Sequence, residues 1–154
     1  MEAHPVTPIH RIGEAAQRSG VSAANIRYYE REGLLKPQAR AGNDYRLYSE
    51  ADIHRLRFIR QCRALDMSLD EVRTLLALDL NNKADCATAS TALDAHLGHV
   101  RQRLAELWAL ERELLALRKR CDGSDDQCHI IEALHQRADE AVPVVAAPAG
   151  HRHV

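Results

Sequence analysis

Three cysteines carry the chemistry that is easiest to read from this chain. Cys86 stands at the N-terminal edge of a long leucine-striped segment, and Cys121 and Cys128 flank the short loop that follows it. Thiolates favour soft or borderline ions such as Cd(II), Zn(II), Hg(II), Pb(II) and Cu(I), and binding would replace the thiol protons near neutral pH. Cys121 and Cys128 close a loop able to wrap one ion, and His129 beside them is either a fourth donor or faces away. The remaining thiol, Cys62, lies beside Phe58 and Ile59 on an apolar helical face, where a small buried hydrophobe is the expected role. His96 and His99, three residues apart, share one face of the long helix. With His151 and His153 of the tail they make a second, nitrogen-rich candidate metal site if the tail folds back. The bland alternative is solvated surface histidines and a linker-like, flexible tail over 139–154.

The elements that must position these groups follow from periodicity. Apolar residues at Leu93, Leu97, Val100, Leu104 and Leu107 are spaced 4, 3, 4 and 3, and the stripe continues after one slip at Leu110, Leu114 and Leu117. This predicts a dimerisation helix over 86–120, starting near Ala87 after a polar linker from Asp79 to Asp85. A helix of about 34 residues is roughly 50 Å long, too long for a small domain to bury, so it needs a partner helix. An intramolecular hairpin finds no second helix of comparable length here, and a second copy of the chain is the expected partner. Cys86 lies 35 positions before Cys121, at the other end of that helix. Only an antiparallel partner brings Cys86 of one subunit to the loop of the other. A metal-binding loop and short helix are expected over 121–138.

Upstream, residues 9–78 read as a separate unit. Ile12, Ala15 and Ala16 have helical spacing, Ser19-Gly20 breaks it, and Ser22 precedes a second helical stretch with Ile26 and Tyr29, the outline of a helix-turn-helix. Gly33 and Pro37 end that stretch, and the turn-forming segment around Gly42 and Asn43 leads into the alternation Tyr45-Arg46-Leu47-Tyr48, a small hairpin or wing. Ser49 caps a third helix with Ile53, Leu56, Phe58, Ile59 and Cys62 as its apolar face, and Ser68 caps a fourth through Leu69, Val72, Leu75 and Leu76. Residues 1–65 hold 11 Lys/Arg against 7 Asp/Glu, whereas residues 66–154 hold 10 against 15, so the net charge of -1 hides a basic N-terminal part. Arg27 with Tyr28 and Tyr29 on the second helix, and Asn43, Tyr45, Arg46 and Tyr48 on the wing, offer forked donors and hydroxyls for base edges and phosphates. For any one of them an ordinary surface or core role is as good an explanation. Arg and Tyr clusters on both elements together favour nucleic acid.

These same segments resemble a known family. Ile12-Gly13-Glu14-Ala15-Ala16, Ile26-Arg27-Tyr28-Tyr29-Glu30-Arg31-Glu32-Gly33-Leu34-Leu35 and Asn43-Asp44-Tyr45-Arg46-Leu47-Tyr48 are similar to the signature of the MerR family of transcriptional regulators, and the resemblance extends over about residues 9 to 135. The three-cysteine pattern and the segment CRALDMSLDEV most resemble its cadmium- and lead-responsive, CadR-like branch. The resemblance implies a mainly α fold: a winged helix-turn-helix, a long antiparallel coiled-coil dimerisation helix and a short metal-binding loop and helix. It also implies a cytoplasmic homodimer on double-stranded promoter DNA with RNA polymerase. Metal binding would then distort the DNA and activate a resistance or efflux promoter. In the family Cu(I)-type sensors carry serine in place of Cys86, so a cysteine there points to a divalent ion. Lead-selective members carry a further cysteine where this chain has Val21, which puts Cd(II) ahead of Pb(II), with Zn(II) and Hg(II) as further candidates.

Other classes fare less well. No run of about 18 apolar residues occurs and MEAHPVTPIH lacks the order of a signal peptide, so no membrane role and a reducing compartment are expected. No nucleophile-base grouping, phosphate-binding glycine loop or zinc-protease helix motif is present, and an enzyme is not expected. A regulator sensing an organic molecule or redox state predicts a larger C-terminal domain or a reversible disulfide, and the short cysteine-bearing tail argues against the former.

Overall fold

The computed structural model describes residues 7–36, 39–40 and 45–141. The chain divides into two compact units, one within 1–97 and one within 98–154.

The first unit opens with α1 (Ile12–Ser19) and α2 (Ala23–Arg31). Gly20, at φ 74°, donates its N–H to the Ala16 carbonyl and ends α1 in a left-handed conformation that glycine adopts without strain. A Cβ there would also meet the Arg60 guanidinium at 3.0 Å. Ser22 then accepts from the Asn25 N–H at 3.2 Å and starts α2, as its sequence position predicts. Beyond Gly33, Leu34 and Leu35 turn back into the core.

The wing is the two-stranded pair β1 (Ala39–Arg40) and β2 (Arg46–Leu47), antiparallel with Ala39 opposite Leu47 and Arg40 opposite Arg46. Pro37 and the expected turn at Gly42 and Asn43 lie outside the described residues. Tyr48 is stitched to the segment just before α1: its N–H donates to the His10 carbonyl at 2.7 Å and its carbonyl accepts from the His10 N–H at 2.9 Å.

In α3 (Glu50–Ala64) Ser49 and Asp52 form a reciprocal capping box. Ile53, Leu56, Ile59 and Cys62 are buried, three residues apart along one face. Phe58, expected on that face, is 39% exposed. A step of about 100° per residue carries it round from Ile59, so its hydrophobicity outweighed its angular position in the sequence reading. α4 (Leu69–Leu76) has its own capping box from Ser68 and Glu71 and buries Val72. Side chains from α1, α2, α3 and α4 close one core, in which each fully buried aliphatic contributes roughly 1.5–3 kcal/mol.

α5 (Lys83–Arg118) is a single helix of 36 residues. It begins four residues before the expected start because the Asn82 side chain, inside the supposed linker, accepts from the N–H groups of Ala84 at 2.9 Å and Asp85 at 3.3 Å. Its stripe of Leu93, Leu97, Val100, Leu104, Leu107 and Leu114 is exposed in the single chain, as is Trp108. Within the second unit α6 (His129–Glu140) follows the cysteine loop. Arg137 of α6 pairs with Glu113 at 3.5 Å, and Leu117 and Ala133 are buried. Among the described residues no helix is long and apolar enough to cross a membrane.

Candidate nucleic-acid interface and metal centre

The start of α1, the exposed side of α2 and strand β2 enclose an open groove of about 710 Å³ lined by Arg11, Arg27, Arg31 and Arg46, with Tyr45 at its rim. Four guanidinium groups on one concave surface, against the single carboxylate of Glu30 among the described lining residues, leave a positive groove suited to a polyanion. Arg27 and Arg31 stand exposed on successive turns of α2. The Arg11 guanidinium lies 5.1 Å from the centre of the Tyr45 ring, a cation–π contact that ties the wing to the start of α1.

The tyrosines divide into two groups. Tyr45 is exposed and lines the groove, whereas Tyr28 is half-buried and packs against the core. Tyr29 and Tyr48 are buried, and the Tyr48 hydroxyl donates to the Glu30 carboxylate, which also pairs with Arg46. For these two the sequence expectation of hydroxyls aimed at phosphate gives way to a core position. Burial also raises the Tyr48 phenol above its ordinary pKa. Glu30 escaped the sequence reading because a glutamate among arginines reads as solvated charge. Asn43 lies outside the described residues.

Another polar cluster braces the wing from behind. His10, buried, places Nδ1 2.9 Å from Glu14 and Nε2 2.7 Å from Glu50, and Arg18 joins Glu50. The hydrogen bond to Glu14, reinforced by Glu50, raises the His10 pKa above 6.5 against the opposing pull of burial and of Arg18. Glu50 is lowered in turn, chiefly by His10.

All four cysteines are free thiols; Cys62 is buried, Cys86 is exposed in the first turn of α5, and Cys121 and Cys128 are partly exposed. Burial raises the Cys62 thiol, which suits a core role. Accessible thiols of this kind have the donor chemistry that suits a thiophilic ion. The Cys121–Cys128 loop holds a tight turn in which Gly123 takes φ 78° and Ser124 donates its N–H to the Asp122 carboxylate at 2.9 Å. His129 faces carboxylates on both sides, Nε2 at 2.7 Å from Asp125 and Nδ1 at 3.2 Å from Glu132. These bonds, Asp125 first, raise its pKa and engage both ring nitrogens.

His96 is not a solvated surface histidine: it is 9% exposed, with Nε2 2.8 Å from the Leu65 carbonyl. Its Nδ1 lies 2.8 Å from a Glu71 carboxylate oxygen yet forms no aligned hydrogen bond. The distance fixes the proximity and the poor alignment fixes what is missing, namely a well-directed proton. Burial pushes the Glu71 carboxyl up, but the Ser68 capping bonds and His96 outweigh it and hold the pKa below the ordinary value. Glu71 was not singled out in the sequence, since nothing in spacing links positions 71 and 96. His99 follows one turn later on α5, and His151 and His153 lie outside the described residues.

A helix-turn-helix with a wing, followed by one long helix with an uncovered apolar stripe, defines a DNA-binding regulator class. The family model described as MerR HTH family regulatory protein matches residues 10–79, and that described as MerR, DNA binding matches residues 53–117. The chain is 37% identical to the HTH-type transcriptional regulator ZntR of Escherichia coli (strain K12), over 84% of this chain and 95% of that protein. The crystal structure of the transcription regulator PbrR691 from Ralstonia metallidurans CH34 in complex with lead(II) superposes with a TM-score of 0.71 at 43% identity, covering 82% of this chain and 99% of that one. The dual-function regulator MerR from Bacillus megaterium MB1 in complex with mercury(II) gives 0.64 at 30% identity, with the same coverage. The chain belongs to the MerR family of helix-turn-helix transcriptional regulators.

Proposed function

We propose that this regulator is a sensor of a soft divalent metal ion, Cd(II) ahead of Pb(II), Zn(II) and Hg(II). In this reading Cys121 and Cys128 of one subunit and Cys86 of the other hold the ion in an antiparallel homodimer joined through the α5 stripe. The observation that carries it is the placement of three free, accessible thiols at the two termini of one 36-residue helix. About 50 Å of helix cannot be bridged by a single ion, so a cross-subunit site is the arrangement that uses all three. The lead and mercury complexes of two similar regulators support a thiophilic effector. The preference for cadmium rests on Cys86 and Val21 in the sequence.

The output is regulation of a heavy-metal resistance or efflux promoter. The basic groove, with Arg27, Arg31 and Arg46, would seat double-stranded DNA, and a change in the relation of the two winged helices would distort a promoter already engaged by RNA polymerase. The metal shifts that equilibrium only as far as it binds one dimer conformation better than the other.

An auxiliary site is part of the same reading, with His96, His99, His151 and His153 as nitrogen donors and Glu71 added as an oxygen donor. An Nδ1 without a proton and a carboxylate oxygen 2.8 Å apart would repel each other, and a cation between them would relieve that repulsion. The Leu65 carbonyl engages Nε2 and leaves Nδ1 as the ligating atom, as in metal-bound histidines whose other nitrogen is anchored.

The test is titration of the reduced protein with Cd(II), following the ultraviolet thiolate-to-metal charge-transfer band, in wild type and in Cys86→Ser, Cys121→Ser and Cys128→Ser. Loss of the band in each variant is expected. Full binding in all three would remove the thiolate sensor and bring forward a redox or organic-ligand regulator.

A further inference from the structure

The groove that faces DNA in the proposed reading contains one feature that reading does not use. Among its described lining residues Glu30 is the single acidic one, set between Arg27 and Arg31 on α2. A free carboxylate there would repel phosphate. Its side chain, however, is 2% exposed, while that of its partner Arg46, on β2, is 39% exposed. One carboxylate oxygen of Glu30 pairs with Arg46 and the other accepts from the hydroxyl of Tyr48, itself 2% exposed. The carboxylate therefore joins α2 to Arg46 of β2 and to Tyr48 just after it, and the Glu30–Arg46 pair carries no net charge.

We infer that Glu30 is a specificity-determining positioning residue. It neutralises Arg46 as a general attractor of phosphates and fixes the guanidinium, so that its remaining N–H groups meet a phosphate diester only where the backbone of the duplex runs at one set position. Non-specific DNA affinity is governed by the number of free positive charges, each contributing about 0.9 to the slope of log K against log salt, whereas specific binding depends on register and orientation. Arg11, Arg27 and Arg31 supply the first, and the Glu30–Arg46 pair supplies the second. Tyr48 belongs to the same device: it is hydrogen-bonded through its backbone to His10 and through its hydroxyl to Glu30, so the wing is pinned at both edges.

This inference rests on the reading of the groove as a DNA site, and one assay separates the two. Fluorescence anisotropy is measured with a random-sequence duplex of about 30 base pairs across a KCl series, using the full chain. Wild type is expected to bind, and Arg27→Gln to bind more weakly with a shallower salt slope; if neither holds, the DNA groove itself is wrong and this inference falls with it. Glu30→Gln, isosteric but with one acceptor oxygen in place of two, is expected to bind random DNA about threefold more tightly at about 0.1 M KCl. Its slope should be steeper by up to about 0.9 per bound subunit, because the charge of Arg46 is released. A merely structural role would weaken binding and leave the slope unchanged, and that result overturns the inference. If Glu30→Gln does not fold, Glu30→Met decides by the same two readouts, since it also releases Arg46 while filling a similar volume: tighter binding with a slope steeper by up to about 0.9 is expected, and an unchanged or shallower slope overturns the inference as well.

Discussion

His10 Nε2 lies 2.7 Å from the Glu50 carboxylate, joining the segment just before α1 to the first residue of α3. The His10 pKa is raised above 6.5 and that of Glu50 is lowered below 4.5. A raised histidine stabilises the fold fully below its unfolded pKa, and the contribution is lost as pH rises through the folded value. A lowered carboxylate contributes above its unfolded pKa, and that is lost on acidification. The pair is therefore strongest between about pH 4.5 and 6.5. The melting temperature should fall by a few degrees more between pH 6 and pH 8 in wild type than in His10→Gln. Calorimetry giving parallel pH profiles for the two proteins would remove His10 from the stability of this unit.

The DNA groove makes its own distinction among residues that looked alike in the sequence. Arg27→Ala removes an exposed cation and should weaken binding to promoter DNA about tenfold or more, as expected for loss of a contact of about 1–3 kcal/mol, without altering the melting temperature. Tyr48→Phe leaves the ring in the core but deprives Glu30 of a donor, so it should lower stability by about 1 kcal/mol. Denaturant melts and gel shifts on both variants separate the roles; a destabilised Arg27→Ala with a normal Tyr48→Phe would reverse the assignment.

Much of the first unit could be read in advance because its signals are local. Ser22, Ser49 and Ser68 cap the helices they were expected to cap, and Gly20 ends α1. The buried set Ile53, Leu56, Ile59 and Cys62 follows from period alone, and Phe58 failed where hydrophobicity was set above angle. The early start of α5 was missed because Asn82 sits among polar residues that resemble a linker, although asparagine is a strong cap. What the sequence hid were the tertiary partnerships: Glu30 with Arg46, Glu71 with His96, and His10 with Glu50. Each joins two elements through residues whose types, taken singly, read as surface charge.

The stripe on α5 bears on oligomeric state. Leu104 and Leu107 stand 42% and 44% exposed in the single chain, with Trp108 beside them at 60%. A continuous apolar stripe of this length on an isolated helix is not stable in water, so a second copy is expected to cover it. Leu104→Glu should shift the protein from dimer to monomer at micromolar concentration in sedimentation equilibrium. It should also abolish the thiolate-to-Cd(II) band, because the proposed site takes Cys86 from the partner. A monomer that keeps the band would place all three thiols within one chain and end the cross-subunit proposal.

The auxiliary site yields the most discriminating metal measurement, because its donors are chemically unlike the thiolates. His96 presents Nδ1 beside the Glu71 carboxylate in a nearly buried setting. A site built on those two residues must lose metal when either is changed, and it does not need the cysteines. In a Cys86→Ser, Cys121→Ser background the charge-transfer band should be absent, yet one equivalent of Cd(II) or Zn(II) per subunit should still bind, with the heat measured by titration calorimetry. His96→Gln or Glu71→Gln in that background should weaken this residual binding at least tenfold, in line with the loss of a first ligand or its neighbour. Removing the residues after Ala141, which include His151 and His153, tests whether the tail supplies donors: equal affinity after truncation would confine the site to the α4–α5 face. Glu71→Gln must be read beside Glu71→Ala, because Glu71 also completes the capping box with Ser68. Gln at the third helical position still caps, so a loss of metal in Glu71→Gln with unchanged melting temperature identifies the carboxylate as a ligand rather than as a helix cap. Undiminished residual binding in both His96→Gln and Glu71→Gln would leave their close approach as a purely structural ion pair.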